Sequence, residues 1–231
     1  MMDLYFLTLF PDIINQYFSE SIMKRALEDH IIQVHAIDIR DFANNKHNRV
    51  DDYPYGGGAG MVMQAAPIIR AIKSIEDYQE IPIIFLTPSG TPFNTEECQK
   101  LTLRLKERKR FIFLCGHYEG VDQRVIDRYV TDEYSIGDYV LTGGELPALV
   151  MADSIIRHLQ GVLGNDESLT EESFESNLLE YPQYTRPQRV EDMSVPEVLL
   201  SGNHAQIKKW RKAKSLEITQ KKRPDLLKKE K

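Results

Sequence analysis

Cysteine is nearly missing from these 231 residues: Cys98 and Cys115 are the two present, with no CxxC and no zinc-like spacing. A disulfide framework is therefore excluded. The six histidines, His30, His35, His47, His117, His158 and His204, show no HxxxH or other paired spacing, and no metal site is expected from them. Neither GxxxxGK[ST] nor GxGxxG occurs, so nucleoside-triphosphate and dinucleotide chemistry lack support. A GxSxG elbow is also missing, and neither cysteine has a base beside it in sequence, which argues against nucleophilic catalysis. No apolar run approaches the roughly 18 residues that a membrane span needs. Asp3 stands where a secretory signal would carry basic residues, and a cytoplasmic, non-membrane protein is expected.

What is present fits a globular chain. At 42% hydrophobic and 28% charged residues, it can bury a core and is not of disordered composition. Its length corresponds to about one and a half domains at roughly 150 residues each. The net charge of −6 argues against a nucleic-acid partner only as an average. Residues 201–231 hold eleven Lys and Arg (among them Lys208, Lys209 and Lys212) against three acids, or +8. The first 200 residues hold the other 18 basic residues and 32 acids, or −14. Such asymmetry is compatible with binding phosphate backbones and equally with a solvated basic helix.

Apolar runs predict strands at residues 4–10, 34–39, 81–86, 111–115 and 140–141. Helical patterns fall between or after them, at 13–28, 65–74, 95–105, 121–129 and 146–159. This alternation predicts an α/β fold with a mainly parallel sheet covered on both faces. Residues 163–172 are polar and acidic and read as a flexible linker between a domain at 1–162 and a smaller one at 173–231. Pro182, Pro187 and Pro196 rule out long helices in the segment that carries them. A final helix is predicted from an Asn203 cap to Arg223, where Pro224 stops it, with Ile207, Trp210 and Ala213 on one face.

Three glycine-bearing loops follow or separate the strands: Thr87-Pro88-Ser89-Gly90, Gly116-His117-Tyr118-Glu119-Gly120 and the segment from Ser135 to Gly144. Open α/β sheets bind ligands at the carboxyl ends of their strands. Glycine there lets a ligand approach bare backbone. Each loop alone is also an ordinary turn. The densest glycine segment, Tyr55-Gly56-Gly57-Gly58-Ala59-Gly60-Met61, reads either as a substrate loop or as a connector. What remains is acid–base or group-transfer chemistry, using carboxylates and arginines beside a backbone-lined pocket.

Taken in order, the motifs resemble a known family. They are Leu9-Phe10-Pro11, Arg40-Asp41-Phe42, Val50-Asp51-Asp52, Pro54-Tyr55-Gly56-Gly57-Gly58, Leu114-Cys115-Gly116, Tyr118-Glu119-Gly120 and Ser135-Ile136-Gly137-Asp138-Tyr139-Val140-Leu141. Gly143-Gly144-Glu145-Leu146-Pro147, Gly161-Val162-Leu163-Gly164, Tyr184-Thr185-Arg186-Pro187 and Val198-Leu199-Leu200-Ser201-Gly202-Asn203-His204 follow. Over essentially its whole length the chain resembles the bacterial tRNA (guanine-N1-)-methyltransferases, the TrmD family of the SPOUT superfamily.

The resemblance implies transfer of a methyl group from S-adenosylmethionine to N1 of guanosine 37 in tRNA. It also implies a deep trefoil knot in the first domain, against the general rarity of knots, and a helical tRNA-binding second domain. The implied cofactor residues are Leu86, Pro88, Gly90, Gly116, Glu119, Ile136, Gly137, Asp138, Tyr139, Val140, Leu141, Gly143, Gly144 and Pro147. The implied catalytic pair is an arginine, Arg157, and a carboxylate general base. That base falls on Glu172, where the family has aspartate, with Glu171 beside it as a competitor. His47 and Asp51 fall near the target base, and Lys208, Lys209 and Lys212 carry the basic tail toward the tRNA. His117 stands where many relatives have arginine. The family is homodimeric, with the site shared between chains, and magnesium is associated with its activity. A non-catalytic RNA-binding module, or a SPOUT enzyme acting on ribosomal RNA or a ribose, are the alternatives.

Overall fold

The computed structural model describes residues 1–163, 172–174 and 176–228. Most of the predicted 163–172 linker, including Glu171, lies outside them, as do Lys229 and Lys231. By internal contacts the chain forms two units, Met1–Gly164 and Asn165–Lys231.

The first unit carries a five-stranded sheet of β1 (Met2–Thr8), β2 (Ile32–Asp38), β5 (Ile83–Pro92), β6 (Arg110–Leu114) and β7 (Asp132–Ser135), in the order β2-β1-β6-β5-β7. Every pairing in it is parallel. The expected α/β architecture is therefore present. Alternation within each strand divides the core in two. Leu4, Phe6, Phe111, Phe113, Ile84 and Leu86 face one layer, whereas Leu7, Ile112, Leu114, Ile83 and Phe85 face the other. In the central strands β1 and β6 and the first half of β5, both faces are buried and the residues are mostly apolar, which makes these strands readable from composition; the edge strand β2 buries only Ile32.

The first layer is covered by α1 (Pro11–Phe18), α2 (Ser21–Glu28), α4 (Thr95–Arg108) and α6 (Glu145–Ile156). The second is covered by α3 (Ala65–Lys73) and α5 (Gln123–Tyr129). The single helix expected over 13–28 is two helices. Ser21 sits at φ 52°, and the chain turns through Ser19, whose hydroxyl donates to the Gln16 carbonyl at 2.8 Å. A small antiparallel pair, β3 (Asp51–Asp52) and β4 (Val62–Met63), stands outside the main sheet.

The strand expected at 140–141 is not one. Val140 is 84% exposed and Leu141 39% exposed, in a loop. The fifth strand lies just before, at β7, whose Asp132 and Glu133 conceal it. As an edge strand it buries only Tyr134 and Ser135, and Arg104 anchors its start through a 2.7 Å ion pair to Asp132.

The second unit contains a hairpin of β8 (Arg189–Val190) and β9 (Met193–Ser194), then α7 (Glu197–Leu200) and α8 (His204–Lys222). Asn203 caps α8, its side chain accepting from the Gln206 N–H at 3.1 Å, and Pro224 follows its end. The buried positions of α8 are Ser215 and Thr219, while Ala213 is exposed. Its inner face is therefore partly polar. Thr219 donates to the Ser215 carbonyl at 2.6 Å and accepts from the Leu179 N–H at 2.8 Å, so no polar atom of that hydroxyl is left unmatched.

Candidate active site

Parallel pairing brings a bulge within β5 and the loops after β6 and β7 toward the same edge of the sheet. The first loop begins where Leu86 and Thr91 both lie opposite Tyr134, so the four residues between them bow out of the strand. Gly90 is needed to bring the backbone back, since a Cβ there would lie 2.5 Å from the Tyr134 nitrogen. The second loop leaves β6 through Cys115, whose N–H donates to the Leu7 carbonyl at 2.9 Å. The third runs from Ile136 to Gly144.

The second and third loops are stitched together. The Gly144 N–H donates to the Gly116 carbonyl at 2.8 Å, and His117 pairs with Gly143 in an antiparallel bridge. A Cβ on Gly144 would lie 2.7 Å from both the Cys115 Cα and the Gly116 nitrogen. Only glycine permits that approach. The three loops enclose a cavity of about 270 Å3. Leu86, Pro88, Gly116, Glu119, Ile136, Gly137, Tyr139, Val140, Leu141, Gly143, Gly144 and Pro147 all line it. Two of the anticipated cofactor residues do not. Gly90 packs on the Tyr134 backbone, and Asp138 is exposed outside the lining. Phe85, Thr87, His117, Tyr118, Tyr134 and Thr142 also line the cavity. Their adjacency to the glycines was the available signal.

A buried polar chain supports the wall. Glu145, 3% exposed at the start of α6, accepts from the Thr8 hydroxyl at 2.6 Å. It also meets His117 Nε2 at 2.6 and 2.8 Å. Burial pushes the Glu145 carboxyl up, yet the His117 and Thr8 hydrogen bonds outweigh it and hold the group below its ordinary 4.5. Burial, with the nearby Glu145 charge, raises the Cys115 thiol well above its ordinary value, which suits an inert core cysteine. A carboxyl with a depressed folded-state pKa contributes stability above the unfolded value and loses it as pH falls through the folded value. Acid unfolding is therefore expected to steepen below about pH 4.5 in the wild type. It should flatten there in Glu145→Gln, as followed by circular dichroism at fixed denaturant.

The glycine-dense segment ends against this site. The Glu119 N–H donates to the Met61 carbonyl at 2.9 Å, and the Met63 N–H to the Gly120 carbonyl at 2.9 Å. Gly60, at φ +87°, lies so close that a Cβ would sit 2.4 Å from Glu119 Oε1. Asp51 is half-buried and pairs with Met63, one strand from the cavity loop, while His47 is exposed in the preceding turn.

Arg157 does not line the cavity. It opens into a second groove of about 550 Å3 with Ile13, Tyr17, Leu146, Asp153 and Leu163. There the Tyr17 hydroxyl donates to Asp153, and burial together with that carboxylate pushes the tyrosine up to about 12. Glu172 begins the described part of the second unit and is half-buried. Lys208, Lys209 and Lys212 are exposed on α8. Among the described residues, no group of three or more His, Cys, Asp or Glu is placed to hold a metal ion. No helix among them is long and apolar enough to cross a membrane.

Comparison with known proteins bears on this geometry. The family model described as tRNA (Guanine-1)-methyltransferase TrmD matches residues 2–229. A protein of Clostridioides difficile named tRNA (guanine-N(1)-)-methyltransferase is 56% identical over 231 residues, covering 99% of this chain and 98% of that protein. Proteins of the same name from Staphylococcus haemolyticus and Staphylococcus aureus are 51% and 48% identical, each covering at least 98% of this chain and 91% of its own length. With the family model spanning residues 2–229 and relatives of 48–56% identity covering nearly all of the chain, the protein belongs to the tRNA (Guanine-1)-methyltransferase TrmD family.

Proposed function

We propose that this chain transfers the methyl group of S-adenosylmethionine to N1 of guanosine 37 of tRNA, beside the anticodon. The observation that carries this reading is the cavity at the carboxyl edge of the parallel sheet, built from three glycine loops in a chain of this family. Its walls fit the methyl donor. Leu86, Ile136, Leu141 and Pro147 offer apolar surface to a purine, and the bare backbone at Gly116, Gly143 and Gly144 offers N–H and C=O groups to its edge. A volume of about 270 Å3 is near the lower end of small-molecule sites, roughly 300–1,000 Å3. S-adenosylmethionine, when bound there, supplies a methyl group already activated by its sulfonium.

The remaining difficulty is the nucleophile, because N1 of neutral guanine carries a proton. Glu172 takes that proton as the bond from N1 to the methyl carbon forms and the carbon–sulfur bond breaks. Arg157 stabilises the negative charge that develops on O6. His47 and Asp51 help hold the target base, and Lys208, Lys209 and Lys212 meet tRNA phosphates. Magnesium, which the family uses, has no ligand group among the described residues, and the proton transfer above relies on the chain's own groups.

In this reading residues 1–162 form the cofactor domain, with the knot that the family resemblance carries. Residues 163–172 form the linker, and 173–231 the tRNA-binding domain. The protein acts as a homodimer in the cytoplasm. Two features support the dimer: Arg157 opens away from the cavity, and Ile13 and Leu146 around its groove are 43% and 58% exposed. A second chain covering that groove would bring an arginine to each cavity and remove apolar surface from water.

The test is to incubate the protein with unmodified tRNA and methyl-labelled S-adenosylmethionine, then digest and map the label. Label in 1-methylguanosine at position 37 is expected. Label in a ribose or at another base, or no label, would refute the assignment.

A further inference from the structure

Two of the sequence motifs, Leu9-Phe10-Pro11 and Arg40-Asp41-Phe42, have no part in the chemistry so far, yet the fold brings them together at the rim of the cavity. Phe10 follows β1 at the same sheet edge as the three glycine loops. Its ring meets His117, a cavity-lining residue, edge-on at 5.1 Å between centroids. His117 in turn meets Tyr118 at 6.4 Å. Over the Phe10 ring lies the Arg40 guanidinium, 5.3 Å from its centroid.

The Arg40 guanidinium and the Phe10 backbone are both tethered. Arg40 donates to the Leu9 carbonyl and lies 3.7 Å from Asp38. The Phe10 N–H donates to the Thr8 hydroxyl at 2.8 Å, which itself donates to Glu145. Phe10 is thus fixed by the same buried chain that supports the cavity wall. It nevertheless remains 44% exposed, while Phe6, two turns of the pleat earlier, is fully buried. An aromatic ring flanked by His117, open to water and backed by a cation is costly surface for a core but the arrangement that stacks on an unpaired nucleobase.

We propose that Phe10 and Arg40 form a stacking platform for a nucleotide flanking the target guanosine, with Phe10 under the base and Arg40 beside its phosphate. This inference rests on the tRNA reading above and extends it to a positioning role. A guanine whose N1 is buried in a pair or a stack cannot reach the methyl group. A platform at the rim that captures a neighbouring base would hold the loop open once the target has turned inward.

The experiment compares wild type with Phe10→Leu, which keeps apolar volume and loses the ring face, and with Phe10→Tyr, which keeps it. Three quantities are measured: the S-adenosylmethionine dissociation constant by calorimetry, KM for tRNA, and fluorescence of 2-aminopurine placed on either side of guanosine 37. Stacking on one base corresponds to a change of roughly 5- to 150-fold. KM for tRNA is expected to rise within that range in Phe10→Leu and recover in Phe10→Tyr, with cofactor affinity unchanged. Quenching of one of the two probes should vanish in Phe10→Leu alone. Unchanged tRNA KM and quenching in Phe10→Leu would overturn the proposal. So would a parallel loss of tRNA and cofactor binding together with a lower melting temperature, because Phe10 would then be a packing residue. A wild type that leaves guanosine 37 unmethylated would instead sink the functional reading itself.

Discussion

Glu172→Gln is expected to slow single-turnover methylation of tRNA by roughly 100- to 10,000-fold, the range over which a positioned general base contributes. The substitution keeps the side chain's length and hydrogen-bonding capacity and removes its ability to accept a proton. Binding of S-adenosylmethionine and tRNA should therefore survive, and the loss should fall on the chemical step. Glu172→Asp introduces the aspartate that the family resemblance implies at this position and should retain most of the rate if the surrounding chain absorbs the missing methylene. Near-normal single-turnover chemistry in Glu172→Gln would remove the residue from the mechanism and turn attention to Glu171.

Gly144→Ala is expected to abolish tight cofactor binding, raising its dissociation constant more than tenfold. A Cβ at this position meets the Cys115 Cα and the Gly116 nitrogen, both at 2.7 Å. These are backbone atoms and cannot swing aside as a side-chain tip would. The strand end and the third loop would have to part, breaking the 2.8 Å bond from the Gly144 N–H to the Gly116 carbonyl that joins two walls of the cavity. Overpacking of this kind costs about 1–3 kcal/mol, which for a chain of this size lowers the melting temperature by roughly 2–12 °C. Gly57→Ala is the control. It also introduces a side chain at positive φ (+79°), but nothing lies within 4 Å of the added carbon, so cofactor binding should persist. Calorimetry on the two variants separates them. Tight binding by Gly144→Ala would mean that the loops are not closed together in solution.

The sequence was legible wherever one physical pressure acted alone. Central strands buried on both faces had to be mostly apolar, so β1, β5 and β6 stood out, while the edge strand β2, with only Ile32 buried, showed through Val34, Ala36 and Ile37. Glycines after strands marked the loops, and twelve of the fourteen anticipated cofactor residues line the cavity. Reading failed where two pressures competed. Val140 and Leu141 line the cavity from a loop, and an apolar pair between turns imitates a strand. The real edge strand, β7, is hidden by Asp132 and Glu133, which an edge tolerates. Thr219 can be buried because its hydroxyl both donates to the Ser215 carbonyl and accepts from the Leu179 N–H, which no hydropathy pattern registers. The contacts from Thr8 to Glu145 and from Phe10 to Arg40 span 137 and about 30 residues. No local pattern contains them. The position of Arg157 in a groove apart from the cavity was invisible for the same reason.

The bond from Thr8 to Glu145 also has a consequence for synthesis. These residues are 137 positions apart, and a ribosome adding roughly 5–20 residues per second needs on the order of 7–27 s to make the interval. β1 can pair with β2 early, because only a helical excursion separates them. Its other edge must wait for β6, beginning at Arg110. During that wait a strand containing Leu4, Phe6 and Leu7 presents unpaired backbone, the kind of edge that invites association with other chains. This exposed edge therefore exists before the cavity does, and a factor that shields nascent β1 is expected to raise yield without changing the folded protein's activity.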